Sequence, residues 1–376
     1  MSIKILFVID GLEFGSGERC FAQIISGLPQ DRYEIYLASS ENRQLYEAIN
    51  TVRVHLIPLD FSHRYKPALF RAISKIISEK NIDIIHGQGS RAEFYARIAT
   101  RHAKTSKYVS TIAMPVEGYD VCSLKKRWYG IFDRFSDRHV DRFVVVSAVL
   151  RNLMIHQRGI PAEKVVRIYN GIETAIYDPD KLKNQRVQIR SDFSLTENTL
   201  LIGAIGRLVW QKGFEYFVRC IPEVIRKFPG ARFLIVGDGE LRTSLEQLSK
   251  ELNLENSLLF TGHRNDIQNV IAALDIVVIP SILEGFPMIT LEAMAMKKPI
   301  VATRIDGIVE QISDGLEGLL VPPKDPSALV EAIIKIMRDR ELARPLGLTA
   351  RKKVESEFSV EKMIAETEKV YQSLLT

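Results

Sequence analysis

The chain has 376 residues, of which 46% are apolar, 26% charged and 8% aromatic. It is too long for one typical core, and its composition is that of an ordinary globular protein, which excludes disordered and low-complexity classes. The formal net charge of +5 comes from the first 180 residues, where 25 Lys and Arg accompany 20 Asp and Glu; the remaining residues hold 26 of each. So modest an excess is typical of a solvated surface, although it would also favour an anionic acceptor or membrane surface, and we expect no nucleic-acid partner.

The cysteine spacing and the N-terminal apolar run indicate in which cellular compartment the protein is expected. Cys20, Cys122 and Cys220 lie far apart, without the spacing of a metal or disulfide framework, which suits a reducing environment. The apolar run 3–9 is short and includes Lys4, so it fits a buried strand better than a signal-peptide core or a membrane span. We therefore expect a cytoplasmic protein, at most peripheral on the inner face of a membrane.

Short apolar runs alternate with segments of helical length in the first 170 residues. The predicted strands are 3–9, 34–38, 52–57, 82–86, 108–112, 142–146 and 165–169. The predicted helices include 18–28, 67–80, 91–102 and 148–158. This alternation is typical of βαβ units and predicts a parallel sheet.

A break follows at Asn170-Gly171, residues 170–185 resemble a linker, and the alternation then restarts. The second set of predicted strands is 200–206, 232–236, 258–260, 276–279, 299–303 and 318–321, with predicted helices at 213–228, 240–252 and 287–297. The sequence therefore predicts two Rossmann-like α/β domains, residues 1–180 and 186–358. A last helix, 360–374, follows the N-cap candidate Ser359 and carries an apolar stripe that must pack on another element.

The strongest local signal is the segment 281–292, SILEGFPMITLE, which follows a predicted strand and opens a helix at Pro287. The side chain of Phe286, just ahead of it, cannot cap the helix, so the sequence offers no obvious internal partner for the first backbone amides. These amides belong to Met288, Ile289 and Thr290. A phosphate would satisfy them and meet the positive end of the helix dipole, which predicts a phosphate site at this turn.

Two acidic residues accompany that turn. Glu284 lies in the loop ahead of the helix and Glu292 in its second turn, so one carboxylate could reach the sugar end of a ligand while the other accepts hydrogen bonds from ribose hydroxyls. A structural interpretation, a buried helix with one solvated acid, explains Glu292 alone. It does not explain an acid, glycine, aromatic and proline set, of which Gly285 is a member, at a strand-to-helix turn.

On these residues the chain resembles glycosyltransferase family 4, whose members share the GT-B fold of two Rossmann-like domains facing a central cleft. The family's Glu-x7-Glu motif, in the form Glu-Gly-Phe-Pro followed by Glu, is met by residues 284–287 and Glu292. Further matching segments are 206–207 with 210–213, the turns 236–239 and 261–263, and the linker 170–172. The resemblance covers nearly the whole chain and implies that the final helix, within 360–376, packs back on the N-terminal domain.

The resemblance also implies roles for individual residues. Glu284 would contact the donor sugar and Glu292 the ribose. Arg207 and Lys212, which follow a predicted strand, would neutralise the departing diphosphate, with a solvated loop as the alternative for these two cations. The nucleotide pocket would be completed by Gly237, Gly262, His263 and Arg264, together with the turn 285–290.

A glycine-rich turn joins the first predicted strand to its helix at Gly15, Ser16 and Gly17. Such a turn lets the backbone approach a phosphate at a helix N-terminus, and we assign it to the nucleotide sugar. Ser16 replaces the second glycine of the family's Gly-Gly-x-Glu and could instead supply a helix cap. The third glycine of a Gly-x-Gly-x-x-Gly motif is replaced by Cys20 here and by Arg242 in the second domain, which counts against a nicotinamide dehydrogenase.

His86 ends a predicted strand, at the sheet edge where α/β proteins keep their sites, and many relatives have a similar Asp-x-x-His stretch. We count it as a candidate catalytic residue, with a structural histidine as the alternative. Many family members also place a histidine where this chain has Ala113, followed here by Glu117 and Asp120. That departure leaves the sugar contact on this side without its usual residue.

An Asp-x-Asp pair that could hold a metal occurs at Asp178 and Asp180, but it lies beside Pro179 in the linker and is typical of a turn. We expect no metal site and no cofactor other than a UDP- or GDP-sugar as co-substrate. Between residues 97 and 127, seven Lys and Arg (97, 101, 104, 107, 125, 126 and 127) accompany two acids. If these cations share one face, they predict a surface for anionic lipid.

The function that the resemblance implies is a retaining, metal-independent hexosyltransferase. It would move a sugar from the nucleotide donor to a hydroxyl of a sugar or lipid-linked acceptor, held by the N-terminal domain, in polysaccharide or glycolipid synthesis. A non-hydrolysing sugar-nucleotide epimerase and a non-catalytic nucleotide-sugar-binding subunit are the alternatives. The intact set of acids and cations argues against loss of activity, whereas Ala113 is the one feature that favours it.

Overall fold

The computed structural model describes residues 2–12, 14–49, 53–63, 66–100, 106–113 and 137–376. The chain divides into two compact units, of which the first comprises Met1–Gly171 with Val360–Thr376 and the second Ile172–Ser359. No helix in the described ranges is long and apolar enough to cross a membrane.

The first unit is built on one parallel sheet. Its strands are β1 (Ile3–Ile9), β2 (Tyr33–Ser39), β3 (Val54–Pro58), β4 (Ile84–Gln88), β5 (Lys107–Ile112), β6 (Arg142–Val145) and β7 (Val165–Arg167). They lie in the order β3-β2-β1-β4-β5-β6-β7. Residues 5–9 of β1 are all 0% exposed, as expected of a central strand that is covered on both faces.

The second unit repeats this architecture. Its strands are β8 (Leu201–Ile205), β9 (Arg232–Val236), β10 (Leu258–Gly262), β11 (Ile276–Ile279), β12 (Ile300–Thr303) and β13 (Leu319–Val321), in the order β10-β9-β8-β11-β12-β13. In each sheet the strand order reverses beside the first strand, between β1 and β4 or between β8 and β11. Ligands of open α/β sheets bind outside the carboxyl ends of the strands at this reversal.

Helices connect the strands in both units. In chain order they are α1 (Ser16–Gly27), α2 (Arg43–Ala48), α3 (Pro67–Lys80), α4 (Ser90–Thr100), α5 (Ala148–Asn152), α6 (Lys183–Asp192), α7 (Phe214–Lys227), α8 (Arg242–Glu251), α9 (Ile267–Ala273), α10 (Met288–Ala295), α11 (Asp306–Val309), α12 (Pro326–Arg338), α13 (Arg340–Glu357) and α14 (Val360–Leu375). The helix predicted over 148–158 is α5 followed by a π-helical turn, Leu153–Gln157. The predicted fold class, two α/β units each with a parallel sheet, is confirmed.

The C-terminal helix α14 packs within the first unit. A Cβ at Gly27, the last residue of α1, would lie 2.1 Å from Cδ1 of Ile364, so the two helices are in close contact at a glycine. The apolar stripe of α14 is buried at Met363, Val370 and Tyr371. Glu368 forms an ion pair with Arg32 at 2.6 Å.

The boundary between the units lies after Gly171, nine residues before the predicted end of the first domain. Ile172 forms a β-bridge to Ser359, and its amide donates to the carbonyl of Phe358 at 2.9 Å. Tyr177 donates a hydrogen bond to Glu292. These contacts hold Ile172 and Tyr177 within the second unit.

Candidate functional site

Two loops meet at the strand-order reversal of the second sheet, one after β8 and one after β11. The carbonyl oxygen of Gln211 accepts hydrogen bonds from the amides of Ile282 (2.7 Å) and Leu283 (3.2 Å). Gly213 has a φ of +62°, and a Cβ there would lie 2.1 Å from the carbonyl oxygen of Pro280. Only glycine fits this approach, which brings the first loop against the second.

That approach places Lys212 beside Glu284. The Nζ atom of Lys212 donates to Oε1 of Glu284 at 2.6 Å, and the hydroxyl of Ser281 donates to the same oxygen at 2.8 Å. Glu284 is 8% exposed, so the carboxylate is held in a largely desolvated, charge-assisted arrangement. Within the described part of the chain, its second oxygen, Oε2, accepts no hydrogen bond and is open to a ligand hydroxyl.

Glu292 lies in the second turn of α10 and is 3% exposed. Its Oε1 accepts a hydrogen bond from the hydroxyl of Tyr177 at 2.9 Å. The backbone of Tyr177 is in turn held by Arg351, which donates to the carbonyl oxygens of Tyr177 (2.7 Å) and Ala295 (2.6 Å). Tyr177 therefore orients this carboxylate, a role that the sequence did not reveal because no motif marks a lone aromatic residue in the linker.

The start of α10 departs by one residue from the prediction. Pro287 is the N-cap, with φ −70° and ψ 125°, and Met288 is the first helical residue. No side chain caps this helix, which keeps the dipole of its N-terminus available to an anion. The hydroxyl of Thr290 is buried, and no described residue hydrogen-bonds it. Ile289 lies between Met288 and Thr290 in the first turn of α10.

Packing fixes the backbone that leads into α10. Phe286 is 5% exposed and meets the ring of Phe358 edge-on, with 5.5 Å between the centroids. A Cβ at Gly307 would lie 2.4 Å from the carbonyl oxygen of Gly285, so α11 approaches this turn at a glycine. The turn after β11 is consequently held from two sides.

The glycine turns after β8, β9 and β10 stack on one another. The amide of Gly206 donates to the carbonyl of Val236, and that of Gly237 to the carbonyl of Gly262, both at 2.9 Å. Gly237 has a φ of +132°, and a Cβ there would lie 1.9 Å from the carbonyl oxygen of Gly206. The three turns thus form one glycine-lined rim at the carboxyl edge of the sheet, and Arg207 is exposed on it.

His263 and Arg264 extend this rim beyond β10. Arg264 forms a two-pronged ion pair with Asp266, at 2.8 and 2.6 Å, which holds the pKa of that carboxyl below its usual range. The guanidinium also lies 5.8 Å from the ring centroid of Phe193. His263 is exposed and bonds Asn265 at 3.0 Å.

The glycine-rich turn of the first unit precedes α1. Gly15 is the N-cap, and its amide donates to Oε2 of Glu18 at 2.9 Å. Ser16 is the first helical residue and not the N-cap, so the suggested Ser16 cap is absent. Gly15 and Ser16 are exposed, and Gly17 is half-buried.

The predicted position of His86 at a strand end was wrong. β4 continues to Gln88, and the His86 ring is 0% exposed between the rings of Phe7 and Phe21. Its Nδ1 and Nε2 atoms bond the hydroxyls of Tyr371 (2.6 Å) and Thr111 (2.7 Å). Burial lowers the pKa of His86 to about 3. These contacts make His86 part of the core, and it is not available to a substrate.

One of the seven cations predicted to form a basic surface between residues 97 and 127 is buried. Arg97 is 2% exposed and bonds Glu93 at 2.7 Å and Asp137 at 2.9 Å, so it belongs to a buried ion network. Of the other cations, Lys107 lies at the start of β5, 3.9 Å from Asp141. Residues 101, 104 and 125–127, and the acids 117 and 120, lie outside the described residues.

Two further predictions concern Ala113 and the pair Asp178 and Asp180. Ala113 directly follows β5 and is half-buried. Asp180 donates its amide to Asp178 at 3.0 Å and pairs with Lys183, as in a turn. In the parts of the chain that the structure covers, there is no cluster of three His, Cys, Asp or Glu that could hold a metal ion.

Comparisons with known proteins match both units. The profile described as Glycosyltransferase Family 4 matches residues 17–176, and that described as Glycosyl transferases group 1 matches residues 199–339. The UDP-Gal:alpha-D-GlcNAc-diphosphoundecaprenol alpha-1,3-galactosyltransferase of Escherichia coli is 26% identical over 94% of this chain and 92% of its own. N-acetyl-alpha-D-glucosaminyl L-malate synthase of Bacillus anthracis is 26% identical over 94% of this chain and 88% of its own.

Solved structures agree on the fold. A glycosyltransferase from Rickettsia africae aligns with a TM-score of 0.85 at 24% identity, over 100% of this chain and 99% of the other. Anabaena HepE in complex with UDP aligns with a TM-score of 0.83 at 22% identity, over 99% and 100%. With the two strand orders and the acid and cation set of the second unit, these matches show that the chain belongs to glycosyltransferase family 4 and has the GT-B fold.

Proposed function

We propose that this glycosyltransferase moves a hexose-type sugar from a UDP- or GDP-sugar to a hydroxyl of a sugar or lipid-linked acceptor, with retention of anomeric configuration. The observation that carries the proposal is the Lys212–Glu284–Ser281 cluster at the strand-order reversal of the second sheet. Relatives in the same family support it, since one is named a UDP-galactose-dependent transferase to a diphosphoundecaprenol-linked sugar and another a capsular polysaccharide glycosyltransferase. Polysaccharide or glycolipid synthesis is the corresponding role.

The chemistry assigns a task to each group. The bond between the anomeric carbon and the diphosphate oxygen breaks, the acceptor oxygen bonds to that carbon, and the acceptor proton leaves with the diphosphate. The negative charge on the leaving group is stabilised by Lys212, Arg207 and the N-terminus of α10, which requires no metal ion. The open Oε2 of Glu284 accepts a hydrogen bond from the donor sugar, and Glu292 binds the ribose. The rim at 237 and 262–264 completes the donor contacts in the second unit.

No protein nucleophile is part of this proposal. Attack of the acceptor on the face from which the diphosphate departs gives retention without a covalent intermediate. Because Glu284 is already bonded to Lys212 and Ser281, its role is to hold the donor sugar beside the cation.

Incubation with radiolabelled UDP- and GDP-sugars tests the proposal. Release of the nucleoside diphosphate with a labelled glycoside of the same anomeric configuration as the donor is the expected result. Conversion to an epimeric nucleotide sugar without an acceptor would instead identify an epimerase, and binding without turnover in the presence of a membrane lipid extract would identify a non-catalytic subunit. Either of these results overturns the transferase proposal.

A further inference from the structure

The segment 303–311, which begins at the end of β12, packs along the turn between β11 and α10. Thr303 is 1% exposed, and its hydroxyl donates to the carbonyl oxygen of Ser281 at 2.5 Å. Gly307 approaches Gly285 so closely that a Cβ would lie 2.4 Å from the carbonyl oxygen of that residue. Both contacts engage backbone carbonyls of the turn, so the segment supports the backbone of the candidate site.

Gln311, at the end of this segment, makes a third contact of the same kind. Its Nε2 atom donates to the carbonyl oxygen of Pro287, the N-cap of α10, at 3.1 Å. Gln311 is 0% exposed, as are Ile308 and Ile312, and this i, i+3, i+4 spacing is that of a buried apolar stripe. An aliphatic side chain would suit the position, so the presence of an amide there needs a reason other than packing.

The other end of the Gln311 amide has no partner. Its Oε1 atom is buried, and no described residue hydrogen-bonds it. The opposite orientation of the amide would place Oε1 against the carbonyl oxygen of Pro287, and neither of these atoms can donate. A buried oxygen without a donor costs free energy of folding, which an apolar side chain of the same length would not. The contact with Pro287 is therefore kept despite this cost.

We propose that Gln311 is a positioning residue for the diphosphate, which holds Pro287 so that the first backbone amides of α10 point at the leaving group. The inference rests on the proposed function, in which this N-terminus stabilises the departing charge, and it adds a residue that sets the direction of the amides. No side chain caps α10, so the bond from Gln311 holds an N-cap that lacks a side-chain cap. Because a hydrogen bond weakens steeply when its angle changes, a small rotation of this turn would weaken the bonds to phosphate.

The test compares the unmodified full chain with Gln311→Met, which keeps the length of the side chain and removes the amide. The matched control is Gln188→Met, on the exposed surface of α6 in the same unit. Circular dichroism gives the melting temperatures, and calorimetry gives the affinities for UDP and GDP.

We expect Gln311→Met to melt at the temperature of the unmodified protein or higher, because the unpaired Oε1 is removed. The same variant should bind its nucleoside diphosphate at least fivefold more weakly, and Gln188→Met should change neither quantity. Loss of affinity without loss of stability is a result that a purely structural residue does not give.

The contradicting results are distinct. If affinity and melting temperature fall together, or if Gln311→Met binds as the unmodified protein does, the positioning role is refuted, while nucleotide binding by the unmodified protein still supports the transferase. If Gln311→Met does not fold, Gln311→Leu replaces it with the same expectation, and failure of both to fold refutes the role as well. If the unmodified protein binds neither UDP nor GDP, the proposed function itself fails.

Discussion

At the scale of single residues, Glu284 and Glu292 have different hydrogen-bond partners, so we expect their substitutions to affect different steps. Glu292 is held by Tyr177, and Glu284 by Lys212 and Ser281. Glu292→Gln should weaken binding of the free nucleotide, because a hydrogen bond to a charged group contributes about 1.5–3 kcal/mol. Glu284→Gln should reduce turnover while nucleotide affinity stays near that of the unmodified enzyme. Calorimetry with UDP and GDP, beside initial rates, measures both; equal loss of nucleotide affinity in the two variants would refute the division of roles.

Tyr177 offers a finer test of the same site. Tyr177→Phe removes only the hydroxyl that donates to Glu292, at 2.9 Å in a buried position. The carboxylate should then lose its fixed orientation, and nucleotide affinity should fall by about 1 kcal/mol, a typical net value for one hydrogen bond. Tyr216→Phe, a partly exposed tyrosine on α7, is the control. Unchanged UDP affinity in Tyr177→Phe would show that Glu292 needs no such support.

His86 gives the first unit a pH dependence of stability. Its pKa in the folded protein is about 3, whereas an unfolded histidine has a pKa of about 6.5. Below pH 6.5 the unfolded state takes up a proton that the folded state does not, so stability falls towards pH 3, by up to about 1.4 kcal/mol per pH unit. His86→Gln should flatten this slope in urea unfolding between pH 7 and 4, and His263→Gln, at an exposed position, should not. Equal slopes in all three proteins would contradict the assignment.

At the scale of elements, α14 should be needed for the stability of the first unit. Its Tyr371 supplies the hydroxyl that bonds His86, and its Ile364 packs on Gly27 of α1. Deleting residues 360–376 should lower the melting temperature of the protein. Tyr371→Phe alone should cost about 1–3 kcal/mol, because one nitrogen of a buried ring loses its partner. Melting curves that are unchanged in both variants would show that α14 is dispensable.

The positions of the elements were largely readable from the sequence. The strands predicted at 3–9, 232–236 and 276–279 coincide with β1, β9 and β11, because each is a largely apolar run that is followed by a polar residue, a glycine or a proline. At β4 the same reasoning ended the strand at His86, two residues early. The histidine that this prediction placed at the edge of the sheet is a residue of the core. The bond from His86 to Tyr371 joins residues 285 positions apart, and no local pattern indicates it.

The residues of the candidate site likewise fall into those that the sequence indicated and those that only the fold brings together. The motif at 284–292 indicated its two acids and its glycine because their order along the chain is their order in the turn and the helix that follows. The contact between Lys212 and Glu284 is different, since it spans 72 positions and depends on Gly213 packing against Pro280. Tyr177 carries no sequence signal of its own. Its role appears only when the fold brings it beside Glu292.

At the scale of the whole molecule, the account requires that the leaving diphosphate be stabilised by the protein's own cations and amides. Among these cations, Lys212 is held by an ion pair at 2.6 Å from Glu284. Loss of one such donor to a developing charge typically costs about 2.7–4 kcal/mol of transition-state stabilisation, or roughly 100- to 1,000-fold in rate.

The rate of nucleoside diphosphate release from the preferred nucleotide sugar, measured in excess EDTA for the unmodified protein and for Lys212→Met, tests this claim most directly. Lys227→Met, on the exposed end of α7, is the control. The account predicts that EDTA leaves the unmodified rate within twofold, that Lys212→Met loses at least 100-fold, and that Lys227→Met is unaffected. Abolition of the unmodified rate by EDTA with recovery on adding Mn²⁺ or Mg²⁺, or a Lys212→Met rate close to that of the control, would contradict it.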